Sequence, residues 1–141
     1  VELVLGMASP MSRIAVFNHS VNLLTLYRIA LGQRGYEVMT FNHDFADFSD
    51  VEKANPDLLI LGNVQGINHD EIDMLMRLRA HPHLNHIPVI LSTTASENLL
   101  PMEKLQSAGN VHVLYKPFDV QNLLIAVKKA LQSSQDQTES S

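Results

Sequence analysis

Pro56-Asp57-Leu58-Leu59-Ile60-Leu61-Gly62-Asn63 decides the fold. Its apolar run is too short for a helix and has breakers on both sides, so it reads as a strand buried on both faces, the centre of a parallel sheet. In open α/β sheets the crevice beyond the carboxyl ends of the strands is where ligands bind. Gly62 stands at that end and brings no side chain to it.

Upstream, Arg13 to Asn18 is a short apolar run ending in the polar pair Asn18-His19, with a helix start signal at Ser20. Leu23, Leu24, Tyr27, Ala30 and Leu31 recur at helical spacing, and Gly35 is expected to stop that helix. Tyr36 to Phe41 is a second strand, Asn42 to Phe48 a loop, and Asp50 to Ala54 a short helix that Pro56 ends by pushing Asn55 out of the helical region.

Downstream, Asn63 to Asn68 is expected to loop at the crevice. A helix from about Asp70 carries Ile72, Leu75, Met76 and Arg79 at alternating three and four spacing, with acidic residues in its first turn that suit the dipole. Val89 to Ser92 is strand four, ending at Thr93-Thr94. Pro101 to Ala108 is a weaker helix closed by Gly109, and Val111 to Tyr115 is strand five. After Lys116-Pro117-Phe118, Asp119 caps a last helix with Val120, Leu124, Val127 and Leu131 toward the core, which leaves Ile125 outside the stripe beside Asn122 and Lys129. Five strand-helix pairs in alternation imply one doubly wound, flavodoxin-like α/β domain with a five-stranded parallel sheet in the order 2-1-3-4-5. The expected boundaries are an extension over 1–12, the domain over 13–132, and a disordered polar tail over 133–141.

The 141 residues suffice for one core, and 45% hydrophobic with 18% charged residues is a globular composition. A net charge of -5 gives no basic footprint, so direct nucleic-acid binding is not expected. No apolar run is long enough to span a membrane, and without cysteine there is no disulfide or thiolate chemistry. A cytoplasmic protein fits these bounds. His81, His83 and His86 lack carboxylate or cysteine company and read as a solvated loop, so no metal site is expected there, and Met74, Met76 and Met102 read as core filler.

The strand ends thus gather Asn18, His19, Gly62, Thr93 and Lys116-Pro117. With Pro-Asp and four apolar residues in the middle, Pro-Val-Ile-Leu-Ser-Thr, and Lys-Pro-Phe near the end, residues 13–131 resemble the receiver domain of two-component response regulators. The resemblance implies two acidic residues after strand one that hold Mg²⁺, an aspartate ending strand three that takes the phosphoryl group, a Thr or Ser after strand four, and the Lys before Pro. Thr93 and Lys116 match that pattern. Asn18 and His19 stand where the acidic pair belongs, Gly62 where the phosphoacceptor belongs, and Val113 at the aromatic switch position.

Glycine offers no nucleophile, and an amide with an imidazole is a poor seat for Mg²⁺. The expectation is a pseudo-receiver: not an enzyme, without cofactor, acting through contact with a signalling protein, an output domain in a longer chain, or a second copy. Val113 and Ile125 mark its expected interaction face on strand five and the last two helices. Two alternatives stay open. The crevice, its charge inverted, could bind an anion or small molecule, or the chain could be a small flavodoxin-like enzyme or cofactor carrier using Asn18, His19 and Lys116. No glycine-rich phosphate loop follows strand one, which speaks against the last.

Overall fold

The computed structural model describes residues 12–42, 48–62, 69–93 and 102–140. Its elements alternate as the periodicities require: β1 (Arg13–Phe17), α1 (Val21–Gly32), β2 (Glu37–Phe41), α2 (Ser49–Ala54), β3 (Leu58–Gly62), α3 (His69–Ala80), β4 (Val89–Thr93), α4 (Met102–Ala108), β5 (Val111–Tyr115) and α5 (Val120–Ser140). All strand pairs are parallel, in the order β2-β1-β3-β4-β5. The sheet is the expected one.

Side chains alternate across it. Ala15, Phe17, Leu59, Leu61, Val89 and Leu91 pack with Val51 of α2 and Leu75 and Leu78 of α3. The even positions Ile14, Val16, Leu58, Ile60, Ile90 and Leu114 pack with Leu24, Tyr27 and Leu31 of α1 and Leu123, Val127 and Ala130 of α5. β3 is buried from Leu58 to Leu61 because helices cover both faces, which is why its sequence is a continuous apolar run and not an alternation.

Asp57 sets the register at the opposite end of β3 from Gly62. Its backbone N–H donates to the Arg13 carbonyl at 2.7 Å, and its carboxylate accepts from the Arg13 N–H at 2.8 Å. Asp57 is thus a clamp between β1 and β3. The Ser20 cap forms, its hydroxyl accepting from the Leu23 N–H at 3.2 Å, and the Asp119 carboxylate accepts from the Asn122 N–H at 2.7 Å.

Four expectations are revised. Met76, expected as core filler, is 36% exposed on α3. α1 ends at Gly32, and Gly35, at φ +90°, shapes the following turn instead of closing the helix. On α5 the buried stripe is Leu123, Val127 and Ala130, while Val120 is 42% exposed, so the core direction lies about one residue from the expected one. α5 also continues through 133–140, where a disordered tail was expected. Those residues are polar but include no Gly or Pro, and each residue added to an existing helix gains a hydrogen bond without a new nucleus. The expectations for 1–11, the loop over 43–47, the crevice loop over 63–68, Thr94 and Pro101 lie outside the described residues.

Candidate functional site

Asn18 follows β1 directly, one step beyond the pairing of Phe17 with Leu61, and Gly62 ends β3 in register with Ser92 of β4, itself in register with Leu114 of β5. With period two along each strand, Asn18, Gly62, Ser92 and Leu114 form a row on the sheet face covered by α1 and α5. Lys116, two residues past Leu114 and directly after β5, is half-buried, and its peptide bond to Pro117 is cis. The described residues at the strand ends, Asn18, His19, Gly62, Thr93 and Lys116, include no acid.

Asn18 is 2% exposed, far more buried than a residue after a strand usually is. Its Oδ1 accepts from the Ser20 N–H at 2.8 Å, an Asx turn that leads the chain into α1, and its own N–H donates to the Phe41 carbonyl at 3.0 Å. The rest of the amide points at Gly62. A Cβ built on Gly62 would overlap Asn18 Nδ2 and lie 3.1 Å from its Cγ. Gly62 has no positive φ, so backbone conformation does not demand glycine there. The neighbouring amide does.

The row carries polar atoms without partners. Asn18 Nδ2, Ser92 Oγ and Tyr27 Oη are enclosed, and none has a hydrogen-bond partner among the described residues. The Tyr27 and Ser92 hydroxyls are neighbours without a bond of good geometry between them; burial raises the Tyr27 pKa, with Ser92 pulling the other way. Tyr27 therefore stays a neutral phenol. Three unpaired polar groups in one small region are more than a domain interior ordinarily leaves.

Away from the crevice, β5 and α5 border a groove of about 460 Å³ whose lining includes His112, Tyr115, Phe118, Asn122, Ile125 and Lys129. Tyr115 and Ile125 are 40% and 47% exposed, while burial lowers the His112 pKa, so that this imidazole stays neutral. Val113 also lines the groove, is half-buried, and packs against the α2–α3 core, on the opposite side of the sheet from Leu114. Of the sequence-predicted residues, the structure brings Asn18 and Gly62 together, and Lys116 follows β5 at the same end of the sheet. It leaves His19 exposed at the rim, and the side chain of Thr93 lies outside what is described.

Sequence reasoning missed Ser92 and Tyr27, which read as ordinary strand and helix residues, and the role of Arg79. That guanidinium donates to the carbonyls of Ile87 (2.6 Å), Ala108 (3.1 Å), Gly109 (3.0 Å) and Asn110 (3.1 Å), tying the end of α3 to the entry of β5. An arginine on the inner face of a helix's last turn was the available signal.

Known proteins share this architecture. The chain is 31% identical over 121 residues to the phosphate regulon transcriptional regulatory protein PhoB of Rhizobium meliloti, matching 84% of this chain and 52% of that protein. It is built as a response-regulator receiver domain. Among solved structures, the chemotaxis response regulator CheY4 of Vibrio cholerae superposes with a TM-score of 0.71 at 20% identity, covering 86% of this chain and 99% of the other. NtrX of Brucella abortus, solved in complex with ATP, gives 0.74 at 20% identity, covering 92% of this chain and 29% of its own. At these identities the two structures establish the fold alone. No protein-family model matches the chain. The receiver domain spans about half the length of the curated relative it matches. Among the described residues, no helix is long and apolar enough to cross a membrane, and no cluster of three or more His, Asp or Glu side chains could hold a metal ion.

Proposed function

We propose that this receiver domain takes no phosphoryl group and works as a protein-interaction module in two-component signalling. One observation carries the reading: the strand end where a receiver offers its carboxylate is Gly62, and the Asn18 amide occupies the space its Cβ would need. A phosphoryl transfer needs a nucleophile and a cation to neutralise the developing charge. Gly62 supplies no nucleophile, and Asn18 and His19 supply no anionic oxygen for Mg²⁺. Each loss alone is disabling.

The domain performs no chemical step of its own, and its output is contact. The groove between β5 and α5, with Tyr115 and Ile125 exposed beside Lys129, is the face we assign to a signalling partner, an attached output domain or a second copy. Direct nucleic-acid contact by this domain does not suit its net charge of -5.

Mass spectrometry of the protein after treatment with acetyl phosphate and Mg²⁺ tests the reading. The expected result is no adduct. A stoichiometric phosphoryl group on any crevice residue, His19 included, refutes it.

A further inference from the structure

We propose that the groove beside β5 receives an extended peptide of a partner protein as a sixth strand, its alternate side chains apolar and an acidic residue meeting Lys129. The inference rests on the groove assigned above as the contact face, and names the chemistry of what lies in it.

β5 is an edge strand, paired with β4 on one side and with no strand on the other among the described residues. The Val89 N–H donates to the Asn110 carbonyl at 3.1 Å. In a parallel ladder a residue turns its N–H and its carbonyl to the same side, and successive residues alternate sides. Asn110, His112 and Leu114 therefore bond to β4, while Val111, Val113 and Tyr115 turn their backbone groups outward. Those outward groups have no backbone partner among the described residues. A strand edge with unmet donors and acceptors at every second residue is a template for another strand.

The groove lies along that edge. Its β5 wall runs from His112 to Tyr115, and its α5 wall carries Asn122, Ile125 and Lys129, which at i, i+3 and i+7 form one stripe. The two walls match in length, since three strand steps and seven helix steps each cover roughly 10 Å. Toward Phe118 and Ile125 the lining is apolar, and Lys129 is its only charged side chain, because burial keeps His112 neutral. A lysine beside an apolar groove with no acid in the lining favours a ligand that brings a carboxylate. A second copy of β5 brings none, since Val111–Tyr115 contains no acidic residue. A helix suits the groove less well, because it satisfies its backbone within itself and leaves the β5 edge unpaired.

The test selects binders from a displayed library of short random peptides on the intact chain, then follows the enriched peptide by ¹⁵N-resolved NMR with amide hydrogen exchange. The expected peptides carry apolar residues at every second position and Asp or Glu near one end. On binding, the Val111, Val113 and Tyr115 amides should gain protection, while those of His112 and Leu114, already bonded to β4, should not change. Val113→Pro removes one outward N–H without touching the ladder to β4, and should weaken binding about tenfold or more. Methylating the peptide nitrogens that face β5 should do the same with the unchanged protein, which decides the matter should the proline variant not fold. Lys129→Glu should weaken the acid-bearing peptides about fivefold or more. No enriched peptide, apolar residues at helical spacing, or binding without protection of the three amides overturns strand addition and leaves the groove as a contact face. Protection of the same amides on concentrating the chain alone makes the occupant a second copy and overturns the proposal. Peptide binding and sizing both unchanged by Ile125→Glu refute the reading of the groove beneath it.

Discussion

Gly62→Ala is the smallest change that interrogates the crevice. The new Cβ overlaps Asn18 Nδ2 and sits 3.1 Å from Cγ, so turning the amide over only exchanges nitrogen for oxygen, and the whole side chain has to swing about χ1. That movement breaks the bond from the Ser20 N–H to Oδ1, about 1 kcal/mol, and leaves an off-rotamer side chain costing about 1 kcal/mol more. Replacing a strand glycine by alanine returns ~0.5–1 kcal/mol of backbone entropy. The net expectation is a loss of about 1–1.5 kcal/mol, within the usual range for overpacking a filled interior. With a urea m value of about 1.5 kcal/mol per molar, the unfolding midpoint should fall by roughly 0.7–1 M. In an Asn18→Ala background the obstruction is gone, and the same Gly62→Ala change should be neutral or stabilising. Urea unfolding of the four proteins closes a double-mutant cycle, with an expected coupling of about 1–2 kcal/mol. If the two substitutions add without coupling, or if Gly62→Ala stabilises the otherwise unchanged chain, the steric account of this glycine is wrong.

Arg79→Met should destabilise by about 2–4 kcal/mol, since four backbone carbonyls lose their donor, and Arg79→Lys should recover little because one ammonium cannot reproduce the planar fork; thermal or urea unfolding checks both. Burial lowers the His112 pKa, so the unfolded chain binds that proton more readily than the folded one, and the neutral imidazole's contribution is complete above the ordinary histidine value and lost as pH falls through the folded one. His112→Val should therefore lose less melting temperature than the parent between about pH 7 and pH 5, and parallel pH profiles would refute the assignment. Ile125→Glu should leave stability within about 0.5 kcal/mol while abolishing self-association or partner capture through the groove; if sizing and binding are both unchanged, the groove is not the interface.

The fold was legible because its signals are local and repeat. Short apolar runs such as Leu58 to Leu61 and Val89 to Leu91 are punctuated by Pro and Gly, and the apolar spacing of α1 fixes its inner face. The α5 stripe was misplaced by one position because Leu123 and Leu124 are adjacent and either could lead inward; packing chose Leu123. The candidate site was legible by position along the sheet and not by contact. Alignment of strand ends put Asn18, Gly62 and Lys116 together, but nothing in the sequence says that Asn18 turns inward to fill the place beside Gly62, since that depends on the Ser20 N–H fixing its Oδ1. Ser92 and Tyr27 were invisible for a related reason. A hydroxyl in an otherwise apolar run becomes informative only once its neighbours across the sheet are known.

The coupling of Asn18 to Gly62 also bears on the proposed absence of phosphoryl chemistry. On the proposed reading, Gly62→Asp alone should cost stability, because its Cβ meets the Asn18 amide, and should give no phosphoryl adduct by mass spectrometry, because Mg²⁺ still lacks an anionic seat. Restoring the metal seat alone, as Asn18→Asp with His19→Asp, abolishes the donor now facing Gly62 and places carboxylates near one another with no nucleophile to serve. Each half-step is unfavourable while the other is missing. Amide and glycine share one space, so a larger residue at 62 requires a change at Asn18 with it.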